Sequence, residues 1–476
     1  MNNRIVMIAA ATGVTAALIS MGHAQCPQVC NGDNTALGVS ALASNASGGE
    51  NTAIGYFALF SNVSGDGNTA VGQTALVSNT GDNNTAVGFA ALVDNTTGTG
   101  NTALGNSALA FHQTGSNNTA VGLGAQQGFT SGNNNTSTGA QSGSGGGNDN
   151  TSDGYLALFG NAGNDNTAIG SQALYSNSTG SENTAVGYLA LYNNIDGQDN
   201  VAVGLNALLN NISGTFNTAL GADALVANTS GSDNTATGLF ALAVNTAGGG
   251  NTAEGEGALV NNTTGSSNTA HGLYALSLNT TGNSNVAVGA YAGSNLTTGS
   301  NNIDIGNLGA NGDSSKIRIG SKGKQRDTFI AGINGVTVAA GVGVIIDATG
   351  HLGTTTSSAR FKTQIHPMGH DSDSILSMQP VSFRYKKEVA DNSVAQFGLV
   401  AEEVEKVAPD LVVRDDDGKP YSVRYEAVNA MLLNEFLKEH EKVEAQKKAL
   451  EEQANTIQRL EAGLEKVNAR LDANGL

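Results

Sequence analysis

The chain has 476 residues, of which 13% are charged and 5% aromatic, with 64 glycines and no Trp. So few large apolar side chains exclude a globular core in proportion to the length and suit thin repeated coils that bury small residues. Net charge is −18, and no Lys or Arg occurs between Arg4 and Lys316. A surface without cations cannot neutralise phosphates, which excludes nucleic acid and anionic membranes as partners of that stretch.

The first segment reads as an export signal. Arg4 precedes an apolar run over 5–21, and Gly22-His23-Ala24 places small residues where a signal peptidase reads them, which predicts a signal peptide over 1–24. The run contains Thr and Gly and is shorter than the ~20 residues a membrane span needs, so no span is expected after signal removal. Gln25 before Cys26 argues against lipoprotein processing. Cys26 and Cys30 are the only cysteines, and in an exported chain they are expected to close one disulfide loop within 25–33. A metal pair would need two more ligands, and none sit nearby in the sequence.

From Asn34 to a degenerate copy at Asn302, the motif Asn-Thr-Ala-aliphatic-Gly recurs seventeen times, mostly every 17 residues. Such spacing predicts a stacked solenoid over 34–306. Its fifth position is Gly in every copy, as a sharp backbone corner requires. The eighth and ninth are nearly always Ala-Leu and should point inward. The fourth admits Asp153, Thr237, Glu254 and His271, so it should be partly exposed. Asn, Thr, Ser, Asp and Gly fill the remainder and read as turns between short strands.

Coils about 4.8 Å apart would give a rod of about 80 Å. Alanine-sized interiors bury little area at roughly 25 cal/mol per Å², so a single coil stack should be marginal and three about a common axis favoured. The repeats resemble the head regions of trimeric autotransporter adhesins over 34–302, in repeat style, although this repeat is longer and no C-terminal membrane barrel is expected. The resemblance implies a trimeric adhesive rod with a host surface or glycan as its ligand.

No cofactor or metal is expected in the rod. His112 and His271 stand alone among polar residues, and the Asp residues lack the fixed short spacing of a calcium-binding repeat. The Asn-x-Ser/Thr tripeptides look like glycan acceptors but follow from the repeat itself. Rows of Thr-Ala are similar to flat ice-binding faces, yet Thr occurs once per coil beside Asn rather than in paired ranks.

Beyond Asn302 the pattern changes. Residues 302–306 should end the rod, 316–320 alternate as a strand, and the Gly-broken apolar runs 328–333 and 336–346 predict a β-prism connector over 307–356. A polar run follows, in which Ser357 and Lys362 stand five residues apart.

Matching motifs begin here: Ser357-Ser358-Ala359-Arg360-Phe361-Lys362, Pro380-Val381-Ser382-Phe383-Arg384-Tyr385, Phe397-Gly398-Leu399-Val400-Ala401-Glu402-Glu403-Val404, Pro409-Asp410-Leu411-Val412, then Tyr425. From about residue 354 onward the chain resembles the C-terminal intramolecular chaperone domain of endosialidase-type phage tailspikes, which is also the self-cleaving Ser-Lys peptidase domain of the myelin regulatory factor. Ser358 departs from the pattern, since many members carry an acid there.

The resemblance implies a homotrimer and a cut between Thr356 and Ser357, with Ser357 as nucleophile and Lys362 as base. A hydroxyl becomes nucleophilic when a base takes its proton, and a neutral amine serves if burial or neighbouring cations favour that form. Arg360 is either such a cation or the partner of the acidic Glu402-Glu403 segment. Burial of Lys362 on assembly of three chains would make cleavage report completed folding.

The chaperone domain, 357–430, should contain a short helix over 374–378, strands over 381–386 and 396–399, a helix over 401–407, and a hairpin whose strands 411–413 and 421–424 flank the turn Asp415-Asp416-Asp417-Gly418. A coiled coil should occupy 431–476, within a helix starting near Glu426. Phe436, Val443, Leu450, Ile457, Leu464 and Leu471 recur every seven residues, with Leu432, Leu460 and Val467 at d positions. The heptads alone permit two strands or three.

The sequence therefore predicts a mainly β chain: a trimeric β-solenoid or β-roll rod, a small α+β chaperone domain and a trimeric coiled coil. It should be secreted or on the cell surface and act once per chain on itself. The alternatives are an uncleaved fibre in which the C-terminal domain is a permanent clamp, and a solenoid carbohydrate hydrolase, which would need a pair of acids that does not stand out.

Overall fold

The computed structural model describes residues 33–475, except 129, 326, 332, 334–337, 348, 390–393, 416 and 474. The signal segment 1–24 and both Cys26 and Cys30 lie outside the described residues. Two compact units divide at 329/330.

The first unit is a β-solenoid. Eighteen three-residue strands, β1 (Thr35–Leu37) to β18 (Ile317–Ile319), form one parallel sheet in which each strand pairs with the next coil. Register is kept residue for residue, as in Thr35↔Thr52, Ala36↔Ala53 and Leu37↔Ile54. Alternation along a strand turns the middle residue inward. Ala53 is accordingly buried while Thr52 and Ile54 stay partly exposed.

Gly55 then turns the corner at φ +138°, and a Cβ there would lie 2.3 Å from the carbonyl oxygen of Gly72 in the next coil. Only Gly fits on both counts. The following Ala58-Leu59 pair is fully buried, as its pattern required. Leu59 holds φ +50°, a left-handed conformation that costs a non-Gly residue about 1–2 kcal/mol. Fully burying a leucine side chain contributes about 1.5–3 kcal/mol, enough to hold it there.

The asparagines are where the turn reading fell short. They form two internal ladders. Asn51 donates its amide to Gly65 O at 2.8 Å, and its Oδ1 accepts the backbone N–H of Asn68 in the next coil at 2.9 Å. Asn62, in the second ladder, donates to the same Gly65 O at 2.9 Å. Both side chains are buried. Local statistics place Asn in turns, whereas here each amide satisfies backbone groups of its own and adjoining coils. The same burial disposes of the Asn-x-Ser/Thr tripeptides at the second ladder, such as Asn62-Val63-Ser64, as glycan acceptors in the folded rod.

One stretch of the interior is polar. Gln126 replaces the inward Leu, and Ser137, Ser142 and Ser152 replace Ala; Gln126 Nε2 donates to Ser137 Oγ at 2.8 Å, Ser152 Oγ to Ser137 Oγ at 2.8 Å and Ser142 Oγ to Ser152 Oγ at 2.6 Å. This network separates an apolar stack ending at Ala125 from another beginning at Ala157.

The ladder also runs past the expected end. Strand β17 (Ile303–Ile305) pairs with β18, so the solenoid gains a coil after 306, and the 307–356 connector loses its first strand to the rod. Shortening the coil to the 14-residue step Ile303↔Ile317 still leaves the ladder bonds in place.

The second unit starts with a hairpin of β19 (Val344–Ile346) and β20 (Leu352–Thr354). Among the described residues of 328–343 no strand forms, contrary to the expected prism: Phe329 and Ile330 are exposed and have no neighbouring strand to pair with. Next come β21 (Val381–Phe383) paired antiparallel with β22 (Gln396–Gly398), α1 (Ala401–Val407), β23 (Val412–Arg414) paired with β24 (Pro420–Val423), and α2 (Tyr425–Ala473). A 3-10 helix over Gly369–Ser377 replaces the shorter helix expected at 374–378. Val404, Ala408, Leu411, Val423 and Val428 form the small core, with Met378, Leu399 and Met431 against it. No helix among the described residues is long and apolar enough to cross a membrane.

Candidate functional site

The candidate site lies just past β20. The turn before that strand is tied by Asp347, whose Oδ1 accepts from Thr349 N at 2.9 Å, Thr349 Oγ1 at 2.6 Å and His351 N at 3.0 Å. The Thr349 hydroxyl bond, then the His351 amide, hold the Asp347 carboxyl below its ordinary range. Thr356 and Ser357 follow as exposed chain.

A single 3-10 turn, Ala359–Phe361, separates Ser357 from Lys362. Ser358 enters it in extended conformation, and Lys362 closes it by donating its backbone N–H to Ala359 O at 3.0 Å. The two site side chains thus flank one turn, and both are exposed. Among the described residues no hydrogen bond joins the Ser357 hydroxyl to the Lys362 amine.

Arg360 lies with its guanidinium carbon 4.6 Å from the centroid of the Phe361 ring. Neither role expected of it is seen in the single chain, and Glu403 is instead paired with Lys406 at 2.7 Å. Such a cation–π contact at an exposed site is worth about 0.5–1 kcal/mol.

Other motif residues have structural reasons. The Tyr425 hydroxyl accepts the backbone N–H of Leu399 at 2.9 Å, fastening the end of β22 to the start of α2. A Cβ on Gly398 would lie 2.8 Å from that hydroxyl, which explains the Gly in Phe397-Gly398-Leu399. The acidic turn is a plain hairpin turn, with Asp415 Oδ1 accepting from Asp417 N at 3.0 Å and Lys419 N at 2.9 Å.

A second polar group, missed from sequence, fastens the Gly369–Ser377 helix to α2. Ser372 is fully buried and donates to Glu435 Oε1. Its Oγ accepts from Asn434 Nδ2 at 2.6 Å and from Lys438 Nζ at 3.2 Å. Lys438 also bridges Asp373 at 2.5 Å and Glu435 at 2.7 Å. The Lys438 hydrogen bonds, with His370 aiding Asp373 and Ser372 aiding Glu435, hold both carboxyls below their ordinary range, and the two acids push the Lys438 amine up. More than sixty residues separate Ser372 from its partners, so no local pattern exposes the pairing.

Residues 357–413 match the family model Peptidase_S74, described as the chaperone of endosialidase. The match begins at Ser357 and ends before α2. No curated protein and no solved structure matches the chain. A long parallel β-solenoid followed by a segment similar to an endosialidase chaperone is thus the class that fold and comparison define together.

Proposed function

We propose that the chain is an exported homotrimeric surface fibre whose chaperone domain aligns three copies and then releases itself by cutting between Thr356 and Ser357. The observation that carries the reading is the family match, which opens at the residue that would become the new N-terminus. Trimerisation is supported by the seam of α2, where Phe436, Leu450 and Leu464 are each more than 60% exposed in the single chain. The ligand of the rod is a host surface or glycan, approached by coils that carry no Lys or Arg before Lys316.

In the reaction, neutral Lys362 takes the Ser357 hydroxyl proton as Oγ bonds to the carbonyl carbon of Thr356. The peptide C–N bond breaks, the proton passes from Lys362 to the departing Ser357 amine, and water hydrolyses the ester that remains. The products are a fragment ending in Thr356 carboxylate and one beginning at Ser357. Burial of Lys362 between assembled chains would favour its neutral form.

A second reading is a permanent trimer clamp that never cuts. The exposure of both Ser357 and Lys362 in the single chain favours it. Mass spectrometry of the expressed chain decides between them. Two fragments, the smaller starting at Ser357, are expected from wild type, with Ser357→Ala and Lys362→Ala staying whole; an intact wild-type trimer supports the clamp.

A further inference from the structure

Ser372 is fully buried, and its hydroxyl meets three side chains of α2, Asn434, Glu435 and Lys438. On the heptad that puts Phe436 at a and Leu432 at d, Asn434, Glu435 and Lys438 fall at f, g and c. Two of the three therefore lie on the back of α2, and the third at the seam's edge. Phe436 is left 67% exposed at the same level of the helix. One short stretch of α2 thus carries two interfaces: the seam, open to partner copies, and the back, closed by its own chain's 369–377 segment.

Closing the back requires α2 to be helical there. Only a formed turn sets Asn434, Glu435 and Lys438 at the three- and four-residue spacing that converges on Ser372 Oγ. An isolated helix gains most of its stability from its apolar face being covered, so occupation of the seam firms this turn. The serine in turn anchors a segment whose chain leads back to Lys362 through only the six residues 363–368.

We propose that Ser372, Asn434, Glu435 and Lys438 form a latch that transmits assembly of α2 to the Ser357–Lys362 turn and positions it for cutting. Ser372 is a positioning residue and no second nucleophile. Its neighbouring amine is paired with two carboxylates, which favours the protonated form that cannot serve as a base. A fully connected polar network of this kind fixes geometry more than it adds stability. The proposal rests on the self-cleavage reading.

The test follows cutting of full-length wild type, Ser372→Ala, Lys438→Met and Lys438→Arg on gels, with subunit number by sedimentation and helix content by circular dichroism. Ser372→Ala and Lys438→Met are expected to slow cutting roughly tenfold or more, as loss of positioning does, with subunit number and helix content unchanged. Lys438→Arg, which keeps the charge, is expected to recover most of the rate. Wild-type rates in both disabling variants overturn the proposal. So does loss of association or helix in both, which makes these residues a folding contact only. A second arm uses Ser357→Ala, which should stay whole: adding Ser372→Ala is expected to speed hydrogen exchange across 357–378, and unchanged exchange overturns the latch. A wild-type chain that never cuts overturns the cleavage reading, and the exchange arm then decides the latch alone.

Discussion

Asp304 occupies a position that alanine or serine fills in the other coils before it, and the residue is buried with its Oδ2 lacking a hydrogen-bond partner among the described residues. Burial raises its pKa from 3.8 to about 6, with Asp313 adding to the rise and Arg318 opposing it. Arg318, its register neighbour in β18, is engaged by Asp313 at 2.6 Å. A carboxyl whose folded value exceeds its unfolded value keeps its proton longer in the folded chain. Stability should therefore fall as pH rises between those two values and level off above about 6. Asp304→Ala is expected to stabilise the last coils by on the order of 2 kcal/mol at pH 7 and to abolish this dependence. Thermal unfolding from pH 4 to pH 8 checks it; a variant with the wild-type slope would contradict the assignment. At the corner, Gly204→Ala places a Cβ 2.5 Å from Gly221 O at φ +137° and should cost about 2 kcal/mol or more in the same assay. The corner glycines and inward Ala-Leu pairs were legible because each reports a constraint inside its own repeat. The buried asparagines were not, because their partners lie largely in the adjoining repeat and Asn carries a strong local turn preference.

Among elements, the polar coil stands apart. Where Gln126, Ser137, Ser142 and Ser152 replace Leu and Ala, apolar burial drops and hydrogen bonds among small groups take its place. Net hydrogen bonding contributes only about 0.5–1.5 kcal/mol per bond, less than a buried leucine. Amide exchange across 137–147 should exceed that of the regular coil at 200–216, and equal protection in the two would refute this weakness. In the second unit, the expected helix 401–407 matches α1 residue for residue because Glu402 and Glu403 open it, Lys406 suits its end and Pro409 stops it. The strand expected over 381–386 ends at Phe383, since its partner β22 offers only three residues. The 3-10 segment was extended beyond its expected start by contacts to α2 that no local period encodes.

At the scale of the whole chain, two units of opposite character share one polypeptide. The solenoid satisfies its backbone through the next coil, as in Leu42 N donating to Ala58 O at 3.0 Å and Phe57 N to Val39 O at 3.0 Å. The second unit leaves most of its longest helix uncovered, all of it from residue 439 onward. If assembly enables cutting, replacing Leu432 and Phe436 by Ser should yield single subunits and lower the yield of fragments at least about tenfold. Sedimentation and gels report both, and full-rate cutting by the monomeric variant would break the coupling. The solenoid and the chaperone-like segment could be read from spacing and motif order, whereas the exposure of Lys362 could not, because no local pattern encodes what packs on a side chain.

Because each regular coil of the rod presents its successor with the same corner, the same pair of amides and the same row of alanines, reach is a countable quantity. Excising 200–216 would bring Asp199 to Asn217 and restore an unbroken ladder about 4.8 Å shorter. Excising eight residues would leave only part of the 17-residue step that carries Thr184 to its partner Val201, and break it. Such a rod is lengthened or trimmed by whole units, like a chain of links, while the second unit stays as it is.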